Sequence, residues 1–267
     1  MSRLPMAIGH KTCFHSYKKL MVGALVGDQN CRYADGVFRL LERVEYRRAE
    51  SEEDRRAIYR LRYAAYKRAG TVRLDSSGLF HDPFDDCPNA WLIGLYIDGD
   101  LASALRLHVS GSPIVPLPAT ATFGDVIEPH LSAGRLIIDA LRFVSKLEYS
   151  ERHSEMPYIT LRPTFLAQEY FDADYVTAAC LVEHHAFYRR MFGGVPWSQP
   201  RQFPYFNRPM AFLGYDCRAQ RNTTYARYPF YRSTEAERAR LFARPSAGCG
   251  NVMRAIGREV ESELSGA

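Results

Sequence analysis

The 267-residue chain contains no apolar run approaching the roughly 20 residues of a membrane span, so no integral membrane segment is expected. It has no Cys-x-x-Cys pair and no Cys/His ligand spacing. Its six cysteines (Cys13, Cys31, Cys87, Cys180, Cys217 and Cys249) stand apart, which predicts neither a metal site nor a disulfide framework. Lysine is scarce: 30 of the 35 basic residues are arginine, as the codon bias of a GC-rich genome would produce. The net charge of +5 is too small and too scattered to indicate nucleic acid, though it suits an acidic protein partner. Leu20–Val26 follows Lys18-Lys19 but is short for a signal peptide and lacks a convincing cleavage site, so the chain reads as cytoplasmic. There is no internal repeat and no low-complexity tract.

What is present is a composition able to build a sizeable core, 46% hydrophobic and 13% aromatic. Residues 1–36 show no sustained periodicity and read as an N-terminal extension. Leu40–Arg48 alternates as a strand. Ser51 with Asp54 three residues on forms a capping-box pattern, opening a helix that buries Ile58, Leu61, Ala65 and Tyr66 and stops at Gly70. Ala90–Asp98 and Leu101–Val109 form a hairpin around Gly99-Asp100. Further strands are expected at Arg135–Ser145, Tyr175–Leu181 and Pro209–Tyr215, with helices at Pro163–Phe171 and Glu183–Phe192. The order β-α-β-β-β-α-β-α-β makes one mixed α/β domain around a central sheet, residues 37–217. A polar C-terminal extension, 218–267, has possible helices at Thr234–Ala243 and Val252–Leu264.

Arginine in an apolar element needs a partner, since an unpaired buried charge costs several kcal/mol. Arg62 sits on the first helix, and Arg106 and Arg142 each interrupt an apolar strand. Asp82, Asp85 and Asp86 crowd one loop, and Asp139 precedes Arg142 by three residues. These groups are expected to meet in one network.

The element order resembles that of the GCN5-related N-acyltransferase superfamily. Glu183–Gly194 (EHHAFYRRMFGG) looks like that superfamily's late helix, which places Tyr188 where a tyrosine protonates the departing thiolate in many members. Members that use acetyl-CoA follow the central strand with a glycine-bearing turn that cradles the pyrophosphate. Here the twenty residues Lys146–Phe165 contain no glycine, which implies a donor entering by its phosphopantetheine arm alone, an acyl carrier protein thioester.

Arg62 with Tyr66, Asp82 and Asp85 around Phe84, Arg106, Thr122-Phe123, and Asp139 with Arg142-Phe143 resemble the signature of the acyl-homoserine lactone (autoinducer) synthases. Three departures stand out: Ala69-Gly70-Thr71 replaces a Gly-Trp pair, Asp139 replaces a glutamate, and Leu141 replaces a small polar residue. The second half, through His185-Ala186-Phe187-Tyr188 and Pro209-Met210-Ala211, is closer to the N-acyl amino acid synthases of the N-acyltyrosine synthase type.

The resemblance implies transfer of a fatty acyl group to the α-amine of an amino acid, tyrosine being one candidate. No bound cofactor is expected beyond the donor's own phosphopantetheine. The alternatives are a lactone synthase and an inactive binding protein on the same fold. Asp139 is the first candidate base and His185 the second, with Tyr188 as acid and the backbone N–H groups of Phe143, Val144 and Ser145 as oxyanion donors. Arg62, Tyr66, Asp82, Asp85, Arg106 and Arg142 would order the acceptor pocket, one arginine holding the substrate carboxylate, Arg62 or Arg106 before Arg142. Phe123 and Phe165 would be core or line the acyl tunnel.

Overall fold

The computed structural model describes residues 28–72, 75–111 and 117–243. Seven strands form one mixed sheet: β1 (Val44–Arg48), β2 (Ala90–Ile97), β3 (Asp100–Val109), β4 (Ile137–Ser145), β5 (Tyr175–Leu181), β6 (Val195–Gln202) and β7 (Pro209–Asp216). Their order is β1-β2-β3-β4-β5-β7-β6, antiparallel throughout except for the parallel β4/β5 pair at the centre. The expected mixed α/β class is the observed one.

Helix α1 (Asp28–Leu41) precedes the sheet and runs through the boundary expected at residues 36/37. Leu40–Arg48 is therefore helix end, turn and strand rather than one strand. Only the last turns of α1 carry the apolar triplet Val37, Leu40 and Leu41, which is buried in the core, so the polar first half hides the period. Helix α2 (Glu52–Ala69) begins as the capping pattern requires. The Ser51 hydroxyl accepts from Asp54 N–H at 3.1 Å, and Gly70 ends the helix at φ +60°. The β2/β3 hairpin turns on Asp98-Gly99, both at positive φ, one residue earlier than expected.

Helix α3 (Thr120–Ser132) and strand β6 escape the sequence pattern. The first is broken by non-helical φ/ψ at Phe123. The second contains Pro196 and Pro200 and pairs only as an edge of β7, with two register shifts. Beyond β4 come α4 (Leu147–Arg152) and α5 (Met156–Phe171); α5 starts seven residues before Pro163, which lies inside it rather than opening it.

Helix α6 (His185–Phe192) follows β5, and α7 (Cys217–Arg227) and α8 (Glu235–Phe242) follow β7. All seven strands lie between Val44 and Asp216. The chain after residue 217 nevertheless joins the main core, through Tyr225, Phe230, Tyr231, Leu241 and Phe242. Arg162 of α5, fully buried, holds it there: Nε donates to Phe230 O at 2.7 Å, Nη2 to Arg232 O at 3.0 Å, and Nη1 to Glu237 Oε1 at 2.5 Å. The expected helix at Val252–Leu264 and the Leu20–Val26 segment lie outside the described residues. No helix among the described residues is long and apolar enough to cross a membrane.

Candidate active site

β4 and β5 pair in parallel only as far as Ala140↔Ala178 and then part. A cavity of about 550 Å³ opens in the gap, within the range typical of small-molecule sites. It is lined from both sides of the sheet: by Ala65, Tyr66 and Arg68 of α2 on one face, and by Leu161, Phe187, Tyr188 and Phe192 of α5 and α6 on the other. Its walls at the gap are Leu141, Phe143 and Ser145 of β4 and Ala178, Cys180 and Leu181 of β5. Burial pushes the Cys180 thiol up to about 12, so it is an apolar filler rather than a nucleophile.

A bulge in β4 shapes this wall. Ala104 pairs with Val144 and Arg106 with Leu141, so Arg142 and Phe143 together face Leu105 alone, and Arg142 takes φ +57°. Hydrogen-bonding groups alternate along an antiparallel ladder. Lys146 N–H donates to Ala102 O at 2.9 Å, so Ser145 N–H, one residue back, points away from β3 into the gap. By the same alternation Val144 N–H faces Ala104. Of the three expected oxyanion donors, Ser145 thus turns its N–H to the gap and Val144 turns its N–H to β3, while Phe143 sits in the bulge and lines the cavity. Ser103 braces the segment from behind, its hydroxyl donating to Val144 O at 2.6 Å.

At the other wall a single 3₁₀ turn (Val182–His184) leads into α6, and His184 and Tyr188 both line the cavity, one helical turn apart. Among the described residues the Tyr188 hydroxyl has no hydrogen-bond partner. Burial pushes its pKa well above the ordinary value, with Cys180 and Tyr66 adding to the effect, so it stays protonated and holds a proton to give. His185, the expected imidazole, does not line the cavity, and its Nε2 is buried without a partner.

The charge network exists. Asp82 caps the turn Pro83–Asp86, accepting from Phe84 N–H at 3.0 Å while Asp85 accepts from Asp82 N–H. Arg62 Nη1 lies 2.7 and 2.9 Å from the two oxygens of Asp85. Arg106 Nη1 bridges Asp82 at 2.7 Å and Asp85 at 2.8 Å. Arg142 reaches Asp82 Oδ2 through Nε at 3.1 Å and Nη2 at 2.6 Å. Burial alone would raise the Asp85 pKa, but Arg62 and Arg106 outweigh it and hold the carboxyl well below the usual carboxylate range. Asp82 is lowered in the same way by Arg106 and Arg142. Of this cluster only Arg142 lines the cavity; Arg62 and Arg106 are fully buried and do not line it.

Asp139 likewise stands back from the cavity. It is fully buried below the gap, where Oδ2 accepts from Ala119 N–H at 3.0 Å and Oδ1 from the Thr177 hydroxyl at 3.1 Å. Burial pushes its pKa up to about 6, and it does not line the cavity. Phe123 stacks on Phe212 at 4.3 Å and Phe165 on Tyr231 at 3.8 Å; both are core, not tunnel. Tyr66, Phe143 and Tyr188 do face the cavity. His184 and Arg68 were missed in the sequence; the i, i+4 spacing from His184 to Tyr188 was the available signal for the first.

The family model for N-acyl amino acid synthase FeeM matches residues 57–216, more than half of the chain and all of the cavity's walls. Among solved structures, FeeM from uncultured soil microbes superposes with a TM-score of 0.58 at 18% identity, covering 70% of this chain and 98% of that one. The acyl-homoserine lactone synthase LasI follows at TM-score 0.51 and 16% identity, covering 70% and 94%. The CoA-dependent lactone synthase BjaI gives 0.50 and 15%, covering 70% and 88%. At these identities the superpositions establish a shared fold. No curated protein sequence matches significantly. The family match, on a sheet split between β4 and β5, makes the chain an N-acyltransferase belonging to the FeeM N-acyl amino acid synthase family.

Proposed function

We propose that the protein transfers a fatty acyl group from an acyl carrier protein thioester to the α-amine of an amino acid. The observation that carries this reading is the apolar gap between β4 and β5, open to both faces of the sheet, with a protonated tyrosine on one wall and free backbone N–H groups on the other. A thioester can enter from one face and an amine from the other, meeting where the strands part. Orienting two reactants this way removes much of the entropic barrier.

The amine must first lose a proton, because only the neutral form has a lone pair. His184, the imidazole lining the cavity, takes that proton directly or through one water. Nitrogen then forms a bond to the thioester carbon and the carbonyl oxygen gains the charge. Ser145 and Phe143 N–H groups stabilise this oxyanion, a role worth about 3 kcal/mol per donor. Collapse breaks the C–S bond, and Tyr188 protonates the phosphopantetheine thiolate as it leaves. The proton held by His184 restores Tyr188 through solvent.

The donor assignment rests on the segment after β4, which runs from Lys146 straight into α4 without a glycine turn to cradle a pyrophosphate. Since a CoA-dependent lactone synthase shares the fold, the fold does not choose the donor. The purified protein should therefore be offered matched acyl-carrier-protein and acyl-CoA thioesters with mixed amino acids, following amide by mass spectrometry. Faster turnover of the carrier-protein thioester is expected. A preference for acyl-CoA would overturn the donor assignment, and absence of amide with both would favour a binding protein.

A further inference from the structure

Three guanidinium groups and two carboxylates meet in the buried network: Arg62, Arg106 and Arg142 against Asp82 and Asp85. Within ion-pair distance the cluster holds one cation more than it has anions. Asp139, on the same strand as Arg142, is engaged by the Ala119 N–H and the Thr177 hydroxyl and makes no direct ion pair, though its charge interacts with Arg106 and Arg142. Buried guanidinium donors left without an acceptor are best satisfied by an anion. Of the three arginines, Arg142 alone lines the cavity from which one could come.

Its geometry fits that task. Asp82 takes Nε and one hydrogen of Nη2. Nη1 has no partner among the described residues, and Nη2 keeps a second hydrogen. These two nitrogens form the fork that grips a carboxylate through parallel N–H···O bonds. Aromatic rings hold the guanidinium: Phe80, Phe206 and Tyr205 have their centres 5.0, 5.4 and 5.6 Å from it. The bulge that turns Arg142 here costs a left-handed φ on a non-glycine residue, a strain that accumulates where a side chain must be re-aimed.

We propose that the Nη1/Nη2 edge of Arg142 binds the α-carboxylate of the acceptor, filling the fork that Asp82 leaves open. The proposal rests on the reading of an amino acid as acceptor. It adds the basis of selection: an amine without an α-carboxylate brings no charge to the fork. A carboxylate held there leaves the α-amine one carbon away, and Phe206 and Tyr66, which line the same cavity, offer surface that favours apolar and aromatic amino acids.

The test compares L-tyrosine and L-leucine with their α-amides on the full-length protein, in two arms. One is equilibrium binding by calorimetry without donor; the other is acyl transfer from an acyl carrier protein thioester. The free acids are expected to bind roughly tenfold or more tightly than the amides, with the same ratio in kcat/KM. Arg142→Lys keeps a cation for Asp82 but loses the fork. It should collapse that ratio several-fold through the acceptor KM and leave the donor KM unchanged. If the unmodified protein binds acid and amide within about twofold, the proposal is overturned, whether or not the variant folds. If no amide product forms with any donor, the acyl-transfer reading fails while the binding arm still decides the anchor.

Discussion

The Thr177 hydroxyl donates to Asp139 Oδ1 at 3.1 Å, one residue pair before β4 and β5 separate. The pair stitches the two strands together at the apex of the gap, with the Ala119 N–H as the second anchor. We propose that Asp139 fastens the site rather than taking part in its chemistry.

Asp139→Asn tests that assignment. Burial raises the folded pKa to about 6, so between roughly pH 4 and pH 6 the folded state binds the proton more tightly than the unfolded chain does. Stability should fall as pH rises through that window and stay lower above it, by about 3 kcal/mol for a two-unit shift. The asparagine, which can accept from Ala119 N–H and donate to Thr177, should abolish this slope in denaturation curves and keep turnover within about threefold. A loss of turnover by orders of magnitude in a folded variant would restore Asp139 as the base.

The arginine cluster should behave in the opposite sense. Asp82 and Asp85 have lowered pKa values, so their contribution is present above the unfolded carboxylate value and is lost as pH falls through the folded one. Asp85→Asn leaves Arg62 without a charged partner in a fully buried site and should cost about 3–5 kcal/mol in urea unfolding. A cost below about 1 kcal/mol would show that the cluster is not a structural requirement.

Gly214 shows why a residue without a side chain is needed on β7. A Cβ there would lie 1.9 Å from Trp197 Cε2, so the indole rests directly on the strand. Gly214→Ala should displace Trp197, lower stability by about 1–3 kcal/mol and shift the tryptophan fluorescence. Unchanged emission and stability would mean that the ring relocates freely.

In the proposed mechanism Tyr188→Phe removes the leaving-group proton and little else, because the ring remains stacked on Phe192. Single-turnover rates should fall at least about tenfold with the donor KM unchanged. Full single-turnover rates in the variant would make Tyr188 a packing residue.

Much of this architecture was legible in the sequence because local rules and burial agreed there. Ser51 and Gly70 bound α2, the face Ile58, Leu61, Ala65, Tyr66 is buried, and Arg62, Arg106 and Arg142 meet Asp82 and Asp85. What failed depended on tertiary context. The β6 edge is recruited by β7 despite two prolines, and α3 carries a kink at Phe123. Which residues face the cavity turns on the Arg142 bulge, which shifts the phase of β4 and leaves no mark in residue type. The same blindness singled out Asp139 and His185, which do not line the cavity, and passed over His184, which does, since motif position says nothing about where the strands part.

The central claim is that amide bonds between fatty acids and amino acids form in the β4/β5 gap. Mass spectrometry of lipid extracts from cells overexpressing the chain tests it most directly, with Tyr188→Phe as control. A new family of lipids that fragment to a free amino acid, strongly diminished in the control, is the expected result. Lactones in their place, or no new lipid beside a folded protein supplied with acyl carrier protein, would contradict it.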